Sequence, residues 1–289
     1  MWAILALGAA LLTSFNPILY KRILKDVDPI TVVWAVTLLG LPVLGVFTLS
    51  LTPHLPRLDW IFLVAVIASA GLNVVAHLAS TRALKLEDVS LVTPMLTFSP
   101  AFTVLIAIVI LGETPSMRGL TGVGLLLMGA YWLNFSSKED WLSPFKSLSP
   151  RSGNLLVLFA GLLWAITPIL EKVAIQHTDP SSPRFVAFVV DLLLVLLLTT
   201  SALLRGKSSL GSLRTHRWEL FLAGLIAGSA PVLGYTALSL GFVGYVTTLF
   251  KFSSAITVIW AALFLKEHDL RNRLLASLLM IAGAILLTV

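Results

Sequence analysis

The chain has 289 residues, of which 57% are hydrophobic and only 12% charged, with a mean hydropathy of +0.96; soluble domains carry about 25% charged residues, so this composition excludes a soluble globular protein and selects a lipid bilayer as solvent. The absence of cysteine excludes disulfides, thiolate metal sites and thiol catalysis. The formal net charge of +6 is not gathered into a basic stripe interleaved with aromatics, so no nucleic-acid partner is implied.

A spanning helix needs about 20 mostly apolar residues, and ten stretches of roughly that length follow one another: Trp2–Tyr20, Ile30–Leu51, Trp60–Thr81, Val89–Leu111, Gly119–Phe135, Asn154–Leu170, Phe185–Leu204, Leu220–Leu240, Val243–Leu265 and Leu274–Val289. The first begins with no basic n-region and no small-residue cleavage pattern, which reads as a retained helix and not a signal peptide. It contains Asn16-Pro17, where proline removes a backbone hydrogen bond and bends the helix. Trp34 lies in the second span; Asn73 and His77, one turn apart and so on one face, lie in the third. Pro94 and Pro100 break up the fourth. Residues 136–153, "SSKEDWLSPFKSLSPRSG", are serine- and proline-rich with mixed charge and read as a linker between segments 1–135 and 154–289. Trp164 and Thr167-Pro168 belong to the sixth span, Asp191 to the seventh, Pro231 and Tyr235 to the eighth, and Lys251, in "TLFKFSS", to the ninth. Trp2, Trp60, Trp132 and Trp218 stand at segment ends, as an interfacial aromatic belt requires.

Short loops rich in Lys and Arg collect on the cytoplasmic side. Loops after odd-numbered spans hold fifteen basic residues and those after even-numbered spans four. Both termini are therefore expected to face outward and the linker to lie in the cytoplasm.

The chain also contains itself twice. Sliding it by 154 positions lays Ala83–Glu113 over Ala237–Glu267 with 14 of 31 pairs identical, and a shift of 151 lays "NPILYK" (Asn16–Lys21) over "TPILEK" (Thr167–Lys172). The repeat unit is five spans. An odd number forces the second copy into the membrane from the opposite side, and inverted repeats of this kind are a transporter signature, with substrate bound near the midplane. The expected fold class is all-α integral membrane, ten transmembrane helices as two inverted five-helix repeats.

An early helix "ALLTSFNPILYKRIL", and a fourth span closing with "ILGETPSMRGLTGVGLLLMGAYWL" that is echoed by "FLKEHDLRNRLLASLLMIAGAILL", make the chain resemble EamA-type members of the drug/metabolite transporter superfamily over essentially its whole length. The resemblance implies an alternating-access carrier of small organic metabolites that needs no ATP hydrolysis. Members are typically described with cytoplasmic termini, whereas the loop charges here point outward. Phosphate-exchanging plastid relatives carry a Lys-Arg pair in a similar ninth-helix context. Phe252 stands here where that arginine would be, which favours a singly charged anion or a zwitterion over a phosphate ester.

Candidate site residues follow from the cost of polar groups in lipid. A lysine at the centre of a span costs about 2.5–3.5 kcal/mol and normally faces a cavity or a partner. Lys251 replaces Thr97 of the other copy, so the repeat does not require its charge. It is read as the cation that receives a substrate carboxylate, against snorkelling or a structural pairing with carbonyls. Trp34, Asn73, His77, Trp164 and Tyr235 are the other substrate-contact candidates; Tyr245 and Trp260 are further aromatics near the breaks. Asp191, deep in "RFVAFVVDLLLVLLL", is a candidate proton carrier, as is His77, or else an ion partner of Lys251 or a residue near the headgroups. Asn16, Pro17, Thr167 and Pro168 are candidate helix breaks for gating, or packing kinks. Glu113 and Glu267 read as loop anchors. No metal spacing, cofactor loop or catalytic triad is present, so an enzyme is not expected and no cofactor is implied. The expected function is secondary active transport of small organic metabolites, as an exporter of amino acids or related carboxylates in the bacterial inner membrane, working as a monomer or homodimer. Efflux of hydrophobic or quaternary cations, and a non-transporting channel or sensor, stay open beside it.

Overall fold

A computed structural model describes residues 1–51, 54–86, 97–134, 153–205, 209–253, 255–257, 260 and 270–288. The linker up to residue 152, Pro94 and Glu267 lie outside the described residues. The described elements are α1 (Trp2–Thr13), α2 (Asn16–Ile23), α3 (Pro29–Leu51), β1 (Arg57–Leu58), α4 (Trp60–Leu86), α5 (Ser99–Ile110), α6 (Met117–Asn134), α7 (Gly153–Gln176), β2 (Thr178–Asp179), α8 (Pro183–Arg205), α9 (Ser209–Leu213), α10 (Arg217–Leu240), α11 (Val243–Phe250) and α12 (Leu270–Thr288). Among the described residues six stretches, Trp2–Tyr20, Pro29–Leu51, Trp60–Ser80, Leu155–Gln176, Pro183–Leu203 and Arg217–Leu240, are long and apolar enough to cross a membrane.

Prolines behave differently in the two copies. The first expected span divides at Ser14–Phe15, where the Thr13 hydroxyl turns back to the Ala9 carbonyl at 2.9 Å. Pro17 then falls in the first turn of α2, where a missing N–H costs nothing. The matching break at Thr167-Pro168 does not occur: α7 runs unbroken through Pro168, as α3 does through Pro42 and α10 through Pro231. Thr167, Pro168 and Ile169 are all buried, and packing by neighbouring helices holds such a helix across one lost hydrogen bond.

The chain divides into two compact units. Unit 1 comprises Met1–Val74 and Leu170–Leu240. Ile23, Val27, Val32, Val36, Leu220 and Ala223 form one of its apolar cores. Its helices α3 and α10 meet backbone to backbone, since a Cβ built on Gly228 would stand 2.5 Å from the Gly40 carbonyl oxygen; small residues at such crossings let membrane helices gain van der Waals contact that lipid cannot offer. Beyond the helix ends, β1 and β2 pair antiparallel, Arg57 with Asp179 and Leu58 with Thr178. Unit 2 comprises Val75–Ile169 and Gly241–Val289. There α6 and α12 approach in the same way, a Cβ on Gly283 lying 2.6 Å from the Leu126 nitrogen. The Thr103 hydroxyl ties α5 to α7 through the Ala165 carbonyl at 3.1 Å.

Candidate functional site

In unit 2 the lysine sits at a break. α11 ends at Phe250, Lys251 is a turn residue whose N–H reaches the Thr248 carbonyl at 3.1 Å, and helix resumes at Phe252. Thr97, its repeat counterpart, is also a turn residue, just ahead of α5. Both matched positions are therefore turn residues next to a helix, and one copy adds a charge there. A cation at a helix C-terminus is favoured by the macrodipole, about 0.3–1 kcal/mol in an exposed setting and up to about 2 where partly buried, which helps α11 tolerate the lysine.

The far end of α11 is fixed by the loop after α5. Both carboxylate oxygens of Glu113 lie 2.9 Å from the Val243 N–H, the first of the helix. The Tyr245 hydroxyl accepts from the Ser116 N–H at 3.1 Å. Glu113 is thus an anchor, as its place in the loop suggested. Gly112, at φ +63°, supplies the left-handed residue that turns the chain out of α5 toward it. His77 and Trp164 meet edge to face at 5.3 Å between ring centres, joining α4 to α7.

In unit 1 Asp191 has company that the sequence did not announce. Glu171, on α7 and only 9% exposed, accepts a hydrogen bond from the Ser69 hydroxyl of α4 at 3.0 Å and another from the Tyr235 hydroxyl of α10. Asp191, on α8, is close enough for the two carboxylates to act on each other electrostatically. Four helices thus converge on one acid. Burying a carboxylate costs several kcal/mol and a second one near it adds repulsion, and intramembrane acids of this kind form proton relays. Sequence alone does not mark Glu171, because the apolar run of the sixth span ends at Leu170 and Glu171-Lys172 reads as loop. The signal was present: α7 continues to Gln176, and Glu171 stands in register with Tyr20 of the other copy.

The remaining candidates are placed as follows. The Trp34 indole N–H donates to the Thr199 hydroxyl at 3.1 Å, tying α3 to α8 within unit 1. Asn73 falls in unit 1 and His77 in unit 2, on the same helix. Asn16 keeps a buried Oδ1 for which no partner is present, directly after the α1–α2 break. Asp191 and Lys251, one of the pairings the sequence left open, fall in different units.

A family model for the EamA-like transporter family matches residues 1–135 and 151–289. An uncharacterized transporter of Archaeoglobus fulgidus is 27% identical over 289 residues, covering 98% of this chain and 96% of its own length. A solved structure described only as "Crystal structure of protein" superposes with a TM-score of 0.82 at 17% identity, covering 100% of this chain and 98% of that one, a likeness of fold alone.

Proposed function

The chain belongs to the EamA-like transporter family and is a multi-pass integral membrane transporter, and from that premise we propose that it is a secondary carrier that exports amino acids or related carboxylate-bearing metabolites by alternating access. In this reading ten helices form two inverted five-helix repeats, segments 1–135 and 154–289, in a bacterial inner membrane with both termini outward. The observation that carries the substrate class is Lys251 at the break of α11: a half-helix end with a fixed cation is a receptor for one carboxylate. His77 and Trp164, in contact within the same unit, supply an apolar, weakly polar wall. The Glu171–Asp191 pair takes and gives up the proton that drives the cycle, a role the sequence assigned to Asp191 or His77.

The specific observation behind the rival reading, efflux of organic cations, is that same acid pair with Tyr235 against it. Counterflow in proteoliposomes separates the two. Internal unlabelled amino acid is expected to accelerate entry of the labelled compound, and Lys251→Met to weaken its half-saturation about tenfold to a hundredfold, the loss of a charge-assisted hydrogen bond worth about 1.5–3 kcal/mol. Unchanged amino-acid counterflow in Lys251→Met removes the carboxylate reading. Linear flux with no trans-acceleration removes the carrier.

A further inference from the structure

Two aspartate–histidine contacts join loops of unit 1. Nδ1 of His177, just past α7, lies 2.7 Å from Oδ2 of Asp59, just before α4. Nε2 of His216, just before α10, lies 3.0 Å from Oδ2 of Asp26, just past α2. The shift of 151 that lays "TPILEK" over "NPILYK" also lays His177 over Asp26 and Glu171 over Tyr20. Each contact therefore uses one member of this matched pair of loop positions, an aspartate in one copy and a histidine in the other, and only one of the two has a carboxylate six residues back along its helix.

Six residues are about 9 Å of helix, a gap that two or three water molecules span. The helices that end in the exposed pair, α4 and α7, are the ones joined deeper in by the Ser69–Glu171 hydrogen bond. Asp59 is fixed by its own helix: Oδ1 accepts the Phe62 N–H at 2.9 Å, which, with the His177 contact, holds this carboxyl below the usual aspartate range. A carboxylate only accepts, so His177 donates from Nδ1, and Nε2 is the nitrogen left to gain and lose a proton. The side chains are 33% exposed for His177 and 46% for Asp59. Among the described residues, charged groups on the adjoining segments include Arg57 and Asp179, opposite each other on β1–β2, Arg184, whose guanidinium reaches the Leu51 carbonyl at 3.5 Å, and Lys172, next to Glu171 in sequence.

We propose that His177, held by Asp59, is the proton-collecting group for the buried Glu171–Asp191 pair. A proton from solvent adds to His177 Nε2, the imidazolium stands against the Asp59 carboxylate, and the proton passes through water to a Glu171 carboxylate oxygen, which restores the neutral imidazole. The step rests on the coupling role given to the acid pair above. The loop-charge rule puts this face outward, so the collected protons are those of the exterior, and their entry is the current that drives an exporter.

The test needs no substrate, because the proton is the probe. After a rapid acid jump on reconstituted protein, the infrared carbonyl stretch of a protonated carboxyl reports arrival at the pair. The band is expected to vanish in Glu171→Gln with Asp191→Asn, to appear about tenfold more slowly in His177→Gln, an order below the roughly 10²-fold typical of a positioned acid–base group, and to regain its rate when imidazole is added to the buffer. His216→Gln should keep the wild-type rate. A wild-type rate in His177→Gln, or equal slowing in His216→Gln, overturns the collecting role and leaves the coupling pair standing. A full band in the double variant overturns the coupling pair itself, and the collector with it.

Discussion

Replacing Glu113 tests how the end of α11 is built. The side chain is 8% exposed and offers both oxygens at 2.9 Å to the first N–H of α11. Alanine leaves that buried donor without its acceptor, at about 1–3 kcal/mol, and removes a negative charge from a helix N-terminus, at about 0.3–1 kcal/mol; Glu113→Ala should therefore cost about 1.3–4 kcal/mol. Glutamine keeps an acceptor oxygen and gives up the charge alone, so Glu113→Gln should cost about 1 kcal/mol or less. Unfolding of the purified protein in detergent measures the total, and amide hydrogen exchange locates it: protection should fall from Val243 through the first turns of α11 and stay unchanged in α3 and α10. The reasoning fails if Glu113→Ala lies within about 0.5 kcal/mol of wild type, the usual range for inconsequential surface changes, or if glutamine costs as much as alanine. Because Lys251 closes the same short helix, the alanine variant should also impair amino-acid counterflow in the direction of Lys251→Met, and to a smaller degree.

Three further predictions concern unit 1. Gly228→Leu places a Cβ 2.5 Å from the Gly40 carbonyl oxygen and from Val43 Cβ; backbone cannot yield as a side-chain tip does, so α3 and α10 must part at a cost of about 3 kcal/mol or more, read as a lowered unfolding temperature. Gly71→Ala, where a Cβ meets nothing within 4 Å, should instead be neutral or stabilising by up to about 1 kcal/mol. For Asp59 the folded carboxyl lies below its free value, so its contribution to stability is present above about pH 3.9 and is lost as pH falls below it. The gap in unfolding temperature between wild type and Asp59→Asn should accordingly close on acidification from neutral pH; a gap that is constant or widens contradicts the assignment. Lys251→Met and His177→Gln carry the transport and proton-uptake tests described above.

What could be read in advance was whatever depends on solvent and repetition. Long apolar runs name the bilayer with no knowledge of contacts, and the Ala83–Glu113 to Ala237–Glu267 overlay gave a coordinate system in which Lys251 stood out as an asymmetry and Glu113 as an anchor. What could not be read was where a helix truly ends. Drawing the sixth span to Leu170 hid Glu171, because a Glu-Lys pair after an apolar run looks like an interface when its partners, Ser69 and Tyr235, are 102 and 64 residues away in sequence. Proline was over-read for a related reason. Pro17 lies beside a real break while Pro168 lies within a continuous helix, and the difference is made by packing, which local sequence does not encode.

The two Asp–His contacts give unit 1 the same kind of clamp with its polarity turned round. The position after the first helix of each copy carries the acid in one, Asp26, and the base in the other, His177, and each finds its opposite on the segment that leads into another helix, His216 before α10 and Asp59 before α4. What the two loops have in common is thus an attraction and not a residue type, and comparison of residue identities alone does not detect it.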